Sequence, residues 1–380
     1  MTLRQTAFKG RIASMGATFD EYAGYEFAYR YSGDILAEYW ACRRRAAVID
    51  LTPLRKVEVS GRGAEALLQA VVTRDLSRLS DGHIVYTALC DDEGNVIDDG
   101  TVFRFEPDRF RWVGYTDEDE DWFRAHADRL GLEVRLENST DRIHNIAIQG
   151  PRSRDLVTGL IEPAPGRPAV TDLEWFRFTE GNLGGADGPA VLLSRTGYSG
   201  ELGYEVWCHP DDGPTVWDAV FEAGEPLGVG PLGLDALDPL RIEAGLIFKG
   251  YEYEGEEDPF EAGIGFVVAR TKGDDFVGKA ALAQRRKDPS QVFVGLEVDD
   301  ADPLVHGDHV VTGDSVVGVV TSGALSPVLG RNLAFARVGV AHGGLGARLE
   351  VERAGAGPGR IPATVVRVPF YDPDKTRPRS

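Results

Sequence analysis

Acidic residues stand beside tyrosines and glycines in two short stretches of this sequence. The first, RTGYSGELGYEVW (195–207), contains Glu201 and Glu205, and the second, DEGNVIDDG (92–100), ends in an aspartate pair. Carboxylates accept hydrogen bonds from polar ligands and take up protons, so they serve in binding sites and in general acid–base catalysis. These two stretches are therefore the first candidates for a functional site.

The aspartate pair, Asp98 and Asp99, lies in the second strand of a hairpin that the turn residues DEGN predict. Adjacent residues of a strand face opposite ways, so only one of the two points into a pocket. The alternative is a solvated pair at a strand edge, because aspartate is disfavoured within strands and usually lies near a turn.

The two glutamates of the first stretch are four residues apart and share a face if the strand is regular. A carboxylate on an inward face beside apolar residues is costly unless it meets a donor. The paired N–H and NH2 groups of a pterin or purine would satisfy Glu205 bidentately, whereas an arginine partner would give it a structural role. Glu201 is nearer the turn, and we expect it to shape the loop.

Motifs of the common cofactors and of hydrolases are missing from the sequence. It has no GxGxxG after a strand, no phosphate-binding P-loop and no GxSxG nucleophile elbow. His306 and His309 lie in a turn-rich segment without further ligands, which predicts no metal site. The three cysteines (Cys42, Cys90 and Cys208) predict neither a disulfide framework nor a zinc site.

Charge and hydropathy restrict the partners of the protein. The sequence has 61 acidic and 41 basic residues and a net charge of −20, so it repels nucleic acids and anionic membranes. No apolar run reaches the length of a membrane span, and the start lacks the apolar core of a signal peptide. We therefore expect a cytoplasmic protein in which an anionic ligand must find locally clustered arginines.

The elements that position these residues alternate between helix and strand without the spacing of a doubly wound fold. Beyond residue 291, short β segments are separated by glycine and aspartate, which is typical of a small antiparallel barrel or sandwich. We expect a larger region over 1–285, a C-terminal β-barrel domain over 286–372 and a tail over 373–380.

Five motifs, spread over nearly the whole chain, resemble those of one enzyme family in the same order. This is the aminomethyltransferase family, which comprises the T-protein of the glycine cleavage system and its tetrahydrofolate-dependent relatives. The first matching stretch spans residues 22–61, from YAGYEFAYRY to RKVEVSG. The other four are YTALCDDEGNVIDD (86–99), TGYSGELGYEV (196–206), LDPLRIEAGL (237–246) and GVVTSGALSPVLGRNLAFARV (318–338).

The resemblance implies an α+β fold, a T-protein-like cloverleaf of two ferredoxin-like subdomains with a C-terminal antiparallel β-barrel around a folate channel. The implied cofactor is tetrahydrofolate, and the region 1–285 would be the folate-binding catalytic region with both subdomains.

The resemblance also assigns roles to single residues. Asp99 falls on the catalytic aspartate of the family, and Glu205 falls on the glutamate that holds the pterin ring. Tyr198, Tyr86 and Tyr31 fall at or near positions where the family has aromatic residues that line the site. We expect Tyr198 and Tyr86 on the cofactor side and Tyr31 on the substrate side.

Two further tyrosines, Tyr251 and Tyr253, stand in KGYEYEGEEDPFEAG after the LDPLRIEAGL motif. They are candidates for the substrate side of the site, with Tyr251 as our first choice. Packing at the edge of a strand is the alternative.

Several positions depart from the motifs of the family. DLTPL (50–54) lacks the histidine of the family's DVSHM, Leu237 replaces an arginine, and the final segment reads PFYDPDKTRPR. These features look closer to folate-dependent demethylases and to the folate domains of sarcosine- and dimethylglycine-oxidising enzymes. A charge of −20 also disfavours an encounter with a lipoyl carrier protein, which is itself acidic.

We therefore expect a tetrahydrofolate-dependent enzyme that moves a methyl group from a small N-, O- or S-methylated donor to tetrahydrofolate. The first alternative is aminomethyl transfer from a lipoyl carrier, which forms methylene-tetrahydrofolate and ammonia. A second alternative, from another class, is a non-catalytic folate-binding accessory protein.

Overall fold

The computed structural model of the chain describes residues 2–31, 33–355 and 359–380. The α-helices in these ranges are α1 (Lys9–Ser14), α2 (Ile35–Arg44), α3 (Ala64–Val71), α4 (Asp119–Leu130), α5 (Ser153–Leu160), α6 (Gly213–Gly224), α7 (Leu234–Glu243), α8 (Lys279–Lys287) and α9 (Thr376–Arg379). The strands are β1 (Thr18–Tyr22), β2 (Tyr25–Arg30), β3 (Ala47–Asp50), β4 (Arg55–Ser60), β5 (Ile84–Cys90), β6 (Val96–Glu106), β7 (Arg109–Gly114), β8 (Arg135–Asn138), β9 (His144–Gln149), β10 (Ile161–Pro163), β11 (Phe178–Leu183), β12 (Ala190–Ser194), β13 (Gly203–Cys208), β14 (Gly230–Pro231), β15 (Gln291–Val298), β16 (His309–Thr312), β17 (Ser315–Ser326), β18 (Arg331–Gly339), β19 (Arg348–Glu352) and β20 (Arg360–Val366).

The first sheet that carries a predicted site residue has five strands in the order β5-β6-β7-β4-β8. Apart from β5, which is inserted between α3 and β6, the elements β4, α3, β6, β7, α4 and β8 have the strand–helix–strand–strand–helix–strand succession of a ferredoxin-like unit. The apolar faces of α3 and α4 pack against the sheet and form a core around Trp112 and Phe123. The hairpin expected around DEGN is present, because β5 and β6 pair antiparallel with Ala88 opposite Asp99.

The second sheet has seven strands in the order β10-β11-β12-β13-β9-β3-β14. Strand β13 lies in its interior, antiparallel to both β12 and β9, so Glu205 has Ser194 and Ala147 as its neighbours. Helices α1, α5 and α6 pack on the sheet through a core that includes Phe8 and Trp217. Strand β3 lies on the other side of β9 from β13 and pairs with β9 antiparallel.

Strands β15 to β20 close into a six-stranded antiparallel barrel in the order β15-β18-β17-β16-β19-β20. Its interior is filled by side chains such as Leu296, Val320 and Val351. The predicted α+β fold with a C-terminal antiparallel barrel is confirmed.

The glycines of the TGYSGELG motif make room for one buried amide. A β-carbon on Gly197 or on Gly203 would lie 2.0 to 2.3 Å from side-chain amide atoms of Gln149. That amide accepts a hydrogen bond from the hydroxyl of Ser199 (2.8 Å) and donates one to the carbonyl of Thr196 (3.2 Å). The motif is therefore a tight turn fastened to the neighbouring strand β9.

All three cysteines are buried and free of disulfides. Within the described ranges, the helices are too short or too polar to cross a lipid bilayer.

Candidate functional site

A cavity of about 610 Å³ is lined by strands of both ferredoxin-like units, by the segment after α7 and by residues 369–378. Asp99, Tyr86, Tyr198 and Glu205 all line it. Residues of two distant motifs, predicted for one site, therefore share one cavity.

The two substrate-side predictions, Tyr31 and Tyr251, do not line this cavity. Tyr31 follows β2 and is buried in the apolar core of the seven-stranded sheet. Tyr251 is 43% exposed and sets its ring edge-on against His306, 5.7 Å away. The chain turns between Phe248 and Glu252, which directs Tyr251 outward and the next tyrosine, Tyr253, inward.

Two tyrosines hold the carboxylate of Asp99. The hydroxyl of Tyr86 donates to Oδ2 at 2.7 Å, and the hydroxyl of Tyr253 donates to Oδ1 at 2.6 Å. Burial raises the pKa of both hydroxyls far above the usual value, so they stay protonated and donate. Asp99 is thereby fixed in direction, while each of its oxygens keeps a further lone pair for a ligand.

Asp98 faces the opposite side of β6 and is fully buried. Its Oδ2 accepts from the backbone N–H of Tyr115 at 2.7 Å, and its Oδ1 lies 3.4 Å from Nζ of Lys249. Asp119 is buried close by and accepts from the indole N–H of Trp112 at 2.6 Å, and burial together with the charge of Asp98 raises the pKa of Asp119 well above its usual range.

This arrangement changes the acidity of the aspartate in the cavity. Burial, reinforced by the charge of Asp98, raises the pKa of Asp99 to about 6, although the two tyrosines and Lys249 act in the opposite direction. A carboxyl with such a pKa both accepts and releases a proton near neutral pH. Asp99 can therefore exchange a proton with a ligand in the cavity.

Glu205 projects from β13 at another part of the cavity, where it is 8% exposed. The hydroxyl of Thr196 donates to Oε1 at 2.7 Å, and the amide of Asn145 donates to Oε2 at 3.2 Å. No arginine or lysine lies within ion-pair distance of it among the described residues. Burial raises its pKa, which these two donors and the charge of Lys56 oppose.

Two buried side chains near Glu205, those of Asn145 and Lys56, have unusual surroundings. Oδ1 of Asn145 is buried and has no hydrogen-bond partner in the part of the chain that the structure describes. Lys56 is fully buried, donates from Nζ to the carbonyl of Thr52 at 2.8 Å, and has its pKa lowered to about 7 by burial. An unsatisfied acceptor beside a carboxylate with spare lone pairs is a place where a ligand with several N–H donors would bind.

Glu201 has the arginine partners that Glu205 lacks. Its Oε1 lies 3.0 Å from Nη1 of Arg43 and accepts from the hydroxyl of Tyr371 at 3.0 Å, and its Oε2 lies 3.2 Å from Nη1 of Arg377. Arg43 also pairs with Glu243 at the end of α7. Glu201 therefore ties the motif to α2 and to the segment after the barrel.

Positions that depart from the family motifs also face the cavity. Pro53, where the family has its histidine, and Leu237, where the family has an arginine, both line the wall. Tyr198 lines it as well, and its hydroxyl is held by the carbonyl of Ile247. The wall is therefore more apolar here than the family motifs predict.

Sequence reasoning missed several residues of the site. Lys56 and Asn145 beside Glu205, and Lys249 and Asp119 behind Asp99, were not predicted. Lys56 carried no usable signal, since it alternates with the apolar Val57 and Val59 in the strand RKVEVSG and so stands on the face that the pattern predicts to be solvated.

Comparisons with known proteins cover nearly the whole chain. The family model of the GCVT N-terminal domain matches residues 8–272, and the model of the glycine cleavage T-protein C-terminal barrel domain matches residues 291–372. The solved structure of glycine cleavage system aminomethyltransferase T from Bartonella henselae superposes with a TM-score of 0.86 at 24% identity, covering 97% of this chain and 98% of that one. This likeness shows a common fold.

Two relatives illustrate the range of similar sequences. The trimethylamine-oxide aldolase of Ruegeria pomeroyi is 48% identical over 379 residues, which are 99% of this chain but 48% of the relative. The aminomethyltransferase of Symbiobacterium thermophilum is 35% identical over 375 residues, covering 97% of this chain and 98% of the relative. The chain thus spans about half the length of the first relative and nearly all of the second.

Proposed function

Because the chain belongs to the glycine cleavage T-protein family, we propose that it binds tetrahydrofolate in the cavity and transfers a methyl group to it from a small N-methylated compound. The observation that carries the proposal is that one cavity contains two carboxylates in different surroundings. Glu205 has no cation, and Asp99 is held by two tyrosines. Each matches a different part of the folate.

The surroundings of Glu205 support a pterin. Its carboxylate has one protein donor on each oxygen and therefore keeps lone pairs for two more. A pterin presents an amino group and ring N–H groups on one edge, so Glu205 would bind that edge.

Asp99 would act at the reacting nitrogen. Tetrahydrofolate supplies the nitrogen nucleophile that accepts the one-carbon unit. With a pKa of about 6, Asp99 is largely ionised at neutral pH and accepts the proton that this nitrogen loses on Oδ1 or Oδ2. The tyrosines Tyr86 and Tyr253 keep it aimed at the cavity, which lowers the entropic cost of reaching the reactive geometry.

An aromatic wall beside the acid pair supports an N-methylated donor. Tyr22, Phe27, Tyr115 and Phe248 line the cavity, and the ring of Tyr22 lies 5.0 Å from Phe27, 5.8 Å from Tyr115 and 6.0 Å from Phe248. Aromatic faces attract methylated ammonium groups. An amine is also a good leaving group only when it is cationic or protonated, and this wall favours the cationic form.

The relatives are compatible with this class of donor. Trimethylamine oxide, in the name of the relative at 48% identity, is a small compound with three N-methyl groups. This chain spans about half of that relative, so its own donor requires a direct assay.

The decisive experiment incubates the protein with tetrahydrofolate and a panel of mono-, di- and trimethylated amines and amine oxides. Mass spectrometry of the folate pool distinguishes 5-methyl- from methylene-tetrahydrofolate. We expect 5-methyl-tetrahydrofolate with at least one N-methylated donor, and its absence in the Asp99→Asn variant. Methylene-tetrahydrofolate formed only when a lipoylated carrier is supplied would overturn the proposal.

The second candidate is aminomethyl transfer from a lipoyl carrier protein, with release of ammonia. It is favoured by 35% identity to an aminomethyltransferase over nearly the whole of both chains. The same assay identifies it by its dependence on the carrier. A folate-binding protein without catalysis would bind tetrahydrofolate and give neither product, but the acidity of Asp99 and its two tyrosines favours an enzyme.

Location and partners follow from the same proposal. A small methylated compound and tetrahydrofolate are the expected partners, and neither nucleic acid nor a membrane is expected. The cytoplasm remains the predicted location.

A further inference from the structure

Three side chains of the second sheet form a row of hydrogen bonds that ends on Glu205. Strands β12 and β13 pair with Ser194 opposite Glu205, and Trp207 is two residues beyond Glu205, so these side chains share one face of the sheet. Nε1 of Trp207 donates to Oγ of Ser194 at 3.0 Å, and Oγ of Ser194 lies 2.8 Å from Oγ1 of Thr196. The hydroxyl of Thr196 donates to Oε1 of Glu205 at 2.7 Å. We call Trp207, Ser194 and Thr196 the donor chain.

The hydrogen bonds of the donor chain have only one possible direction. An indole N–H donates and never accepts, so the oxygen of Ser194 is the acceptor of the first bond. Ser194 has a single proton, and Oγ1 of Thr196 is the one further acceptor that it reaches among the described residues. Ser194 therefore donates to Thr196, and Thr196 points its own proton at Glu205. The reverse direction would leave a hydroxyl proton without an acceptor at a fully buried position, which is costly.

The donor chain is buried, and packing fixes its first member. Ser194 is fully buried, whereas Trp207 and Thr196 are 3% and 7% exposed. The ring of Trp207 meets the ring of Phe103 edge-on, with 5.4 Å between the ring centres. Trp207 and Thr196 line the cavity with Glu205, but Ser194 lies behind the wall. A substitution at Ser194 therefore reaches a ligand only through its neighbours in the chain.

The direction of the donor chain determines what Glu205 offers to a ligand. Its Oε1 accepts from Thr196 and its Oε2 accepts from the amide of Asn145, so the protein uses both oxygens as acceptors. A carboxylate held in this way keeps further lone pairs but has no proton to give. A ligand edge with N–H donors satisfies it, whereas an apolar edge leaves the buried charge unpaired.

We propose that the donor chain positions Glu205 as an acceptor and thereby makes the cavity select a ring whose edge carries an amino group. The inference rests on the proposed function, in which that ring is the pterin of tetrahydrofolate. It gives Ser194 and Trp207 a part in the choice of ligand as well as in the packing of the sheet. Because hydrogen bonds in a row polarise one another, loss of an early member weakens the last bond, to Glu205.

The test compares tetrahydrofolate with an analogue in which a methyl group replaces the amino group of the pterin ring. Calorimetry near neutral pH, without a methyl donor, gives both dissociation constants. For the unmodified protein we expect the analogue to bind about 50-fold more weakly, as for loss of a hydrogen bond to a charged group. Thr196→Val should reduce this ratio about tenfold. Ser194→Ala should reduce it about threefold, because the Thr196 hydroxyl remains but is no longer held in one direction.

Two further variants separate the donor chain from a general effect on the sheet. Thr196→Ser keeps the hydroxyl and should keep the ratio of the unmodified protein. Thr179→Val is the matched control, because it removes a buried hydroxyl of the neighbouring strand β11 that donates to the carbonyl of Pro168 at 3.0 Å. It should also keep the ratio.

The pH dependence of affinity is a readout that a merely structural role would not move. Glu205 binds N–H donors when it is ionised; burial raises its pKa, and the hydroxyl of Thr196 lowers it. In Thr196→Val this pKa should rise further, so affinity for tetrahydrofolate should be lost at a higher pH, and Thr196→Ser should restore the original profile. Lys56 of β4 also acts on Glu205, and burial lowers the pKa of Lys56 to about 7, but this lysine is common to all variants. The other charged side chains that act on Lys56 are Asp50, Arg111 and Arg55.

The outcomes distinguish this inference from the proposed function. An unchanged ratio in Ser194→Ala, or an equal fall of the ratio in Thr179→Val, would overturn the role of the donor chain and leave folate binding intact. Equal binding of the two compounds by the unmodified protein would overturn it as well. Failure of tetrahydrofolate to bind would instead refute the proposed function together with the donor chain. If Thr196→Val does not fold, Ser194→Ala decides, since it leaves the cavity wall unchanged.

Discussion

The two acidic motifs of the molecule each divide their acids in the same way. In the hairpin of β5 and β6, Asp98 is bound by the protein while Asp99 faces the cavity. In the stretch before and within β13, Glu201 is paired with arginines while Glu205 has only a hydroxyl and an amide. A buried acid paired with a cation of the protein is occupied, and one without a cation keeps lone pairs for a ligand.

We expect the largest effect from removing Arg43, the arginine that pairs with the buried Glu201. Arg43→Met leaves Glu201 and Glu243 buried without their shared cation, each at 1% side-chain exposure. We expect a loss of about 3 to 5 kcal/mol in the free energy of unfolding, measured in urea. A loss below about 1 kcal/mol would show that Glu201 is not structurally paired. Arg348→Gln serves as the exposed control.

Substitution of the cavity-facing aspartate should instead affect chemistry. Asp99→Asn keeps the shape of the side chain but removes the base, so we expect turnover to fall by at least about 100-fold. Folate affinity and unfolding free energy should stay close to those of the unmodified protein. Asp92→Asn, an exposed acid in the turn of the same hairpin, is the control. Retained turnover in Asp99→Asn would exclude it as the base.

The cavity-facing glutamate should affect binding. Glu205→Gln replaces one acceptor oxygen by a donor and removes the charge, and we expect the dissociation constant for tetrahydrofolate to rise about 10- to 100-fold, as for loss of a charged hydrogen bond. Stability should not fall, since burial already disfavours the charge. Calorimetry measures the affinity and urea unfolding the stability. Unchanged affinity would remove Glu205 from the pterin site.

The smallest effect concerns the link between the two aspartates. Asp99 must be ionised to act as a base, so turnover should rise with pH through about 6 and fall below it. Asp98→Asn removes the charge that helps to raise this pKa, so the rise should move to lower pH. The pH dependence of kcat/KM measures the shift. A profile that stays in place would mean that burial alone sets the acidity of Asp99.

Local sequence pattern predicted much of this arrangement. The alternation of strand residues correctly placed Asp98 and Asp99 on opposite faces, and the ordered motifs predicted the family and the barrel. Glu205 and Asp99 were expected at one site, and the structure has both at one cavity. Their chemical roles, like the domain boundary near residue 285, stay predictions.

What the sequence did not predict depends on contacts between distant residues or on irregular backbone. Arg43 meets Glu201 across 158 positions of the chain, and no local pattern signals such a pair. Tyr251 and Tyr253 lie in a turn without a strand period, so nothing indicated that only Tyr253 faces inward. Tyr31 comes directly after β2, and the burial pattern of that strand does not alternate regularly.

The segment after the barrel has a consequence for synthesis of the protein. Pro369, Asp372, Lys375 and Pro378 complete the wall of the cavity, and Arg195 fastens the segment by donating to the backbone carbonyl of Ser380. A nascent chain that has emerged only as far as the barrel already contains Asp99 and Glu205 but not this wall. Tight retention of ligand should therefore begin only after translation has passed these residues.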